Sequence, residues 1–175
     1  GVDGRIDLDR IAETVHKDGL PDVLCLQEIS RNYPSTDYGA DQVNELEKLF
    51  PDYESFFGSV HDRSGGKEKT RKQFGNLVLT RLSPVQVLHH LLPSPADPKA
   101  RFMSRQIAEL VIPADTTELR VMTTHLEFFS EIQQLAQIQR IREIHEEASC
   151  QFHFPGKDMP DTPFELVKRP EKTVI

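Results

Sequence analysis

Four short runs rich in Val, Ile, Leu and Thr, at residues 76–80, 85–92, 105–112 and 119–124, follow one another with no helical stretch between them. Runs of this length bounded by Pro or acidic turn residues read as strands, and strands joined without a crossover helix must pair antiparallel. Elsewhere the chain alternates. Asp7 stands before Leu8, Ile11, Ala12 and Val15, spaced i, i+3, i+4, i+7, with Gly19 and Pro21 beyond them; this predicts a capped amphipathic helix. A strand follows at 22–27. Val43, Leu46, Leu49 and Phe50 mark a second helix stopped by Pro51, and 53–57 reads as a strand. Residues 61–72, with Gly65, Gly66 and the basic Lys67, Lys69, Arg71 and Lys72, lack periodicity and are expected to form an exposed loop. From Ser130, a plausible cap, to about Cys150 the positions Ile132, Leu135, Ala136, Ile138, Ile141, Ile144 and Ala148 form a helical stripe. Residues 151–171 carry four prolines and should be irregular, and Thr173 to Ile175 looks like a strand beginning. Helices between some strands and hairpins between others exclude a purely doubly wound sheet. They imply two sheets of mixed, mainly antiparallel strands packed face to face, with helices outside.

With 175 residues, 37% of them hydrophobic, the chain fits one domain with a sizeable core. A net charge of −7 argues against a broad nucleic-acid-binding face, so such a substrate would need a local basic patch. The two cysteines, Cys25 and Cys150, form neither a disulfide framework nor a CxxC metal motif, and they fit a reducing compartment. No window approaches the roughly 20 apolar residues of a transmembrane segment, and nothing resembling a signal peptide opens the chain.

Two of the apolar runs end on residues suited to a phosphate or a metal. Val23, Leu24, Cys25 and Leu26 lead into Gln27 and Glu28, and the run at 119–124 leads into His125. Strand ends are where open α/β sheets build their sites. A carboxylate there suits Mg2+ or Mn2+, hard cations that take oxygen ligands and keep several waters. Exposed acids at strand ends are also common, and a single His after a strand is more often structural, so each signal leans on the other. Asn76 offers an amide at the start of a strand that ends at Arg81, with Gly75 before it permitting close backbone approach. Arg105 is placed either to grip a phosphate bidentately or to form a surface salt bridge. His89 and His90 would point to opposite faces of a strand, so they cannot share a metal; both are read as structural or exposed.

Taken together, Leu26, Gln27, Glu28, then Gly75, Asn76, Leu77, Val78, Leu79, Thr80, Arg81, then Thr124, His125, Leu126 resemble the endonuclease/exonuclease/phosphatase superfamily with its DNase-I-like fold. The helix with Glu131, Gln139 and Arg140 is similar to the one that follows in that family. The resemblance implies a metal-dependent phosphoesterase acting on a nucleic acid, a phospholipid head group or a small-molecule phosphate ester. Glu28 would hold Mg2+ or Mn2+; His125, Asn76 and Arg105 would be catalytic. The family's first strand, its Gly-Asp-x-Asn motif and its terminal Asp-His pair have no counterpart in the sequence: Asp3 and Gly4 sit in a turn, and His61, Asp62 runs in reverse order. Residues 1–175 are therefore expected to be a single incomplete domain of this kind, weak or inactive alone. The alternative is a non-catalytic domain of the same fold that binds a phosphorylated ligand or a protein partner.

Overall fold

Asp7 does cap the first helix. Its carboxylate accepts from the Arg10 amide at 2.9 Å, and α1 (Leu8–Lys17) turns Leu8 and Ala12 inward. The computed structural model describes residues 4–66 and 70–175, in two compact units, Gly1–Leu82 and Ser83–Ile175. Asp3 of the opening turn and Lys67 and Lys69 of the expected basic loop lie outside the described residues.

In the first unit, β1 (Val23–Arg31), α2 (Gln42–Leu49), β2 (Glu54–Ser64) and β3 (Arg71–Thr80) follow α1, and the strands form an antiparallel sheet ordered β1-β3-β2. Leu8 and Ala12 of α1, and Val43 and Leu46 of α2, pack with Phe50 onto Ile29, Leu77 and Leu79 of the sheet. Each such fully buried Leu, Ile or Phe is worth about 1.5–3 kcal/mol. Gly75 carries out the expected close approach: a Cβ there would lie 1.8 Å from the carbonyl oxygen of Gly58 on β2. The expected loop at 61–72 is much shorter than its composition suggested, because β2 runs to Ser64 and β3 begins at Arg71. A backbone ladder tolerates polar side chains where both faces meet water, so the hairpin extends beyond its apolar part.

The second unit contains β4 (Gln86–Leu91), β5 (Gln106–Ala114), β6 (Thr117–Thr124), α3 (Glu131–His153) and β7 (Thr173–Val174), with sheet order β4-β5-β6-β7. Its pairs are antiparallel except β7, which lies parallel to β6. The four successive strands do not form one meander. The first, β3, belongs to the three-stranded sheet and β4 to the other, a division that side-chain alternation leaves undetermined. Leu92, Ile107, Met122 and Ile144 are the buried centre, with Leu126 and Ile141 against them.

Helix α3 is where the expected apolar stripe fails. Ile144 and Ala148 are buried, yet Ile132, Leu135 and Ile138 are exposed while Gln133 and Gln137 are buried in the first turns. Both side-chain amides donate to a nearby loop, Gln133 to the carbonyl of Pro95 at 2.9 Å and Gln137 to that of Pro93 at 3.3 Å, while the Gln133 Oε1 has no partner among the described residues.

The Pro-rich segment is irregular, as expected, but anchored. Arg169 grips Glu109 of β5 bidentately at 2.7 and 2.8 Å, and His90 donates to the same carboxylate at 2.8 Å. Glu109 is wholly buried. Burial alone would raise its pKa, but the hydrogen bonds from His90 and Arg169 and the charges of Arg169 and Arg120 overcome this and hold it at about 2. His90 is thus a structural residue and His89 an exposed one. No helix among the described residues is long and apolar enough to cross a membrane.

Candidate active site

In the first unit the sequence-derived candidates are Glu28 and Asn76, and β1 brings them together in an unexpected way. Glu28 does not end the strand. Leu26 pairs with Leu77 and Ile29 with Gly75, so Gln27 and Glu28 both stand opposite Asn76 in a β-bulge. The bulge has a reason in the sequence: Leu24, Leu26 and Ile29 all pack in the same core, and the last two are three positions apart. An uninterrupted strand would turn Ile29 to the opposite face; one extra residue restores the phase.

Glu28 absorbs the distortion. Its φ is +61°, in the left-handed region that costs a non-glycine residue about 1 kcal/mol or more. The segment after it is held from several sides. Ile29 is buried, the Ser30 amide donates to the buried Gln42 side chain at 2.9 Å, and Arg31 pairs with Asp41 at 2.9 Å. The result is an exposed carboxylate at the bulge, opposite an asparagine that is only 5% exposed.

In the second unit the candidates are Arg105, just before β5, and His125, just after β6, and they are in contact. Arg105 Nη1 lies 3.1 Å from His125 Nδ1. An arginine can only donate, so Nδ1 accepts and the neutral ring carries its proton on Nε2. Arg105 is not the surface residue its sequence context allowed. It is buried, with Nη2 3.5 Å from the buried Glu127, and its Nε has no hydrogen-bond partner among the described residues.

Glu127 organises this corner. One carboxylate oxygen faces Arg105, while the other accepts from the amides of Phe128 and Phe129 at 2.9 and 2.8 Å; its own amide donates to Gln137 at 2.8 Å. The chain leaving β6 is therefore fixed by side-chain bonds where no strand partner exists. Glu127 and Gln137 carry no sequence signal, because their role depends on the return of α3. The bulge was readable from the phase slip between Leu26 and Ile29. Arg81, at the end of the Asn76 strand, is engaged elsewhere, pairing with Asp22 at 2.9 Å. On α3, Arg140 pairs with Glu143 and Glu147.

Among the described residues no three His, Cys, Asp or Glu side chains converge as a metal cage. The donors at the bulge, one exposed carboxylate beside an amide, are hard oxygens. That set fits a cation such as Mg2+, which is held through one or two carboxylates and retains its waters.

No protein-family model matches the chain, and no curated protein does. Solved structures do match. An endonuclease/exonuclease/phosphatase from Beutenbergia cavernae is 21% identical with a TM-score of 0.63, the match covering 93% of this chain and 46% of that one. A mannosyl-6-phosphatase from Bacteroides thetaiotaomicron is 15% identical with a TM-score of 0.56, covering 79% and 49%. TDP2 from Caenorhabditis elegans is 18% identical with a TM-score of 0.54, covering 89% and 41%. The chain thus has the DNase-I-like fold that these proteins share, and it spans about half the length of the structures it matches.

Proposed function

We propose that this chain is part of a metal-dependent phosphoesterase of the endonuclease/exonuclease/phosphatase superfamily, both units belonging to one catalytic domain. The observation that carries the reading is the Arg105–His125 contact at a strand end, backed by the buried Glu127. A buried guanidinium locks the imidazole in the tautomer whose Nε2–H can donate to a phosphoryl oxygen. That donation strengthens as the oxygen gains charge in the transition state. Arg105 supplies fixed positive charge beside it, in a buried setting where water screens it poorly. Glu28, with Asn76 opposite it on β3, would hold the divalent cation. When bound, Mg2+ or Mn2+ would polarise the phosphoryl oxygen and stabilise the leaving oxygen. The names of the matched structures, a phosphatase among them, support the reaction class.

The test separates binding from turnover. Mn2+ added to 15N-labelled protein should broaden the amide signals around Glu28 and Asn76 in wild type and not in Glu28→Gln. Inorganic phosphate should shift the His125 ring signals in wild type and not in His125→Gln. Mg2+-dependent hydrolysis of a generic phosphodiester should fall at least about a hundredfold in either variant. Equal, measurable hydrolysis by wild type and Glu28→Gln would remove Glu28 from the mechanism, and phosphate binding at His125 with no Mn2+ response around Glu28 would favour the non-catalytic alternative.

A further inference from the structure

Beside His125 two phenyl rings face water. Phe128 is 58% and Phe129 50% exposed, their centroids 4.2 Å apart. Their outward position is built, since both backbone amides are held by the buried Glu127 carboxylate. The loop opposite is equally constrained. Ser130 donates to Asp97 at 2.6 Å, and the buried Gln133 and Gln137 bond the carbonyls of Pro95 and Pro93. That loop sets the Arg101 guanidinium 5.4 Å from the Phe129 ring centre, while Arg105 lies 5.6 Å from that of Phe128. The His125 ring stacks on Phe128 at 5.7 Å. Lys99, Arg101 and Arg105 make this stretch locally basic in a chain whose net charge is −7.

From this geometry we infer that Phe128 and Phe129 form a stacking platform for a nucleobase whose own phosphate lies against Arg105 and His125, so that the substrate is single-stranded nucleic acid. The inference rests on the phosphate-handling role proposed above and names its substrate. A nucleotide is a flat aromatic ring joined through one sugar to an anion. The platform offers the matching pair, exposed phenyl rings in contact with a guanidinium and an imidazole. Base–aromatic stacking is tolerant of sequence and needs a base free of its duplex partners, which directs the site to single strands. The cations placed on both rings add to the attraction and complement the backbone charge. A lipid surface would also meet exposed phenyl rings, but it gives no role to two guanidinium groups packed on them.

The experiment measures binding by fluorescence anisotropy, with EDTA present so that no chemistry intervenes. The ligands are a labelled single-stranded oligonucleotide, the same strand with abasic sites, its duplex, and a mononucleotide as competitor. Wild type is expected to prefer the base-bearing strand to the abasic and duplex forms by at least about tenfold. In Phe128→Leu/Phe129→Leu, which keeps apolar volume and removes the π-faces, that preference should vanish while inorganic phosphate still shifts the His125 signals. Equal wild-type affinity for all forms would overturn the inference. So would an undiminished preference in the Leu variant, a mononucleotide displacing the strand at equal concentration, or tighter binding to phosphatidylserine vesicles than to the strand. The phosphate titration stands apart. If His125 fails to sense phosphate, the phosphoesterase reading fails as well; if it does and base preference is absent, only the platform is lost.

Discussion

Arg169→Met should expose how much the Pro-rich segment owes to one buried ion pair. The substitution keeps the stem and removes the guanidinium that grips Glu109 at 2.7 and 2.8 Å. Two routes give its size. Stripping one partner from a buried pair costs about 3–5 kcal/mol, and the lower end applies because His90 still donates to the carboxylate and Arg120 remains 3.9 Å away. Independently, Glu109 has its pKa held at about 2 against an ordinary 4.5. At 1.36 kcal/mol per pH decade that depression is worth roughly 3 kcal/mol at neutral pH, shared among His90, Arg169 and Arg120, so Arg169 supplies part of it. The sign follows from proton binding. The unfolded chain binds the proton first as pH falls below 4.5, so the contribution is complete above that value and drains away on approach to 2. Urea unfolding should therefore show the variant about 3 kcal/mol less stable at pH 7, with the gap narrowing as the pH falls toward 3.5. A gap below about 0.5 kcal/mol at pH 7, or one of equal size at both pH values, would refute the reasoning.

Three further outcomes follow from local geometry. Glu28→Gly should raise stability by about 1 kcal/mol, because glycine relieves the left-handed backbone, while abolishing Mn2+ broadening at the bulge; thermal unfolding and NMR read the two effects separately. Gly75→Ala should cost about 3 kcal/mol or more and disturb the β2–β3 ladder, since its Cβ has nowhere to go beside the Gly58 carbonyl; hydrogen exchange at 57–59 and 74–77 would report it. Gln137→Leu should cost about 1–3 kcal/mol, as the buried amide of Glu127 loses its acceptor, and should weaken phosphate binding at His125 more than it lowers the unfolding temperature.

Much of the local structure was legible because it is local. Asp7 and its following spacing specify a capped helix without outside help, the run before His125 ends where β6 ends, and Gly75 announces a close approach that is present. Contacts between distant segments were not legible. Glu109 alternates with apolar neighbours as an outward-facing strand residue would, and its partner Arg169 is 60 residues away. The polar face of α3 turns inward because Gln133 and Gln137 satisfy carbonyls of a proline-bearing loop, which outweighs the helix's own apolar stripe. At the site, the contact between Arg105 and His125 was not legible, since it joins residues 20 apart at the ends of paired strands, and Glu28 was read as a terminus because a bulge interrupts alternation just as an end does. The division of the strands between two sheets depends on pairing, which alternation within a single run does not encode.

The most direct measurement of the proposed chemistry follows the His125 ring by NMR while inorganic phosphate is titrated into wild type and Arg105→Gln. The expected result is a saturable shift in wild type that needs at least about tenfold more phosphate in Arg105→Gln. A ring signal that ignores phosphate in wild type, or that responds identically in both proteins, would contradict a phosphate site built from the buried guanidinium and the imidazole after β6.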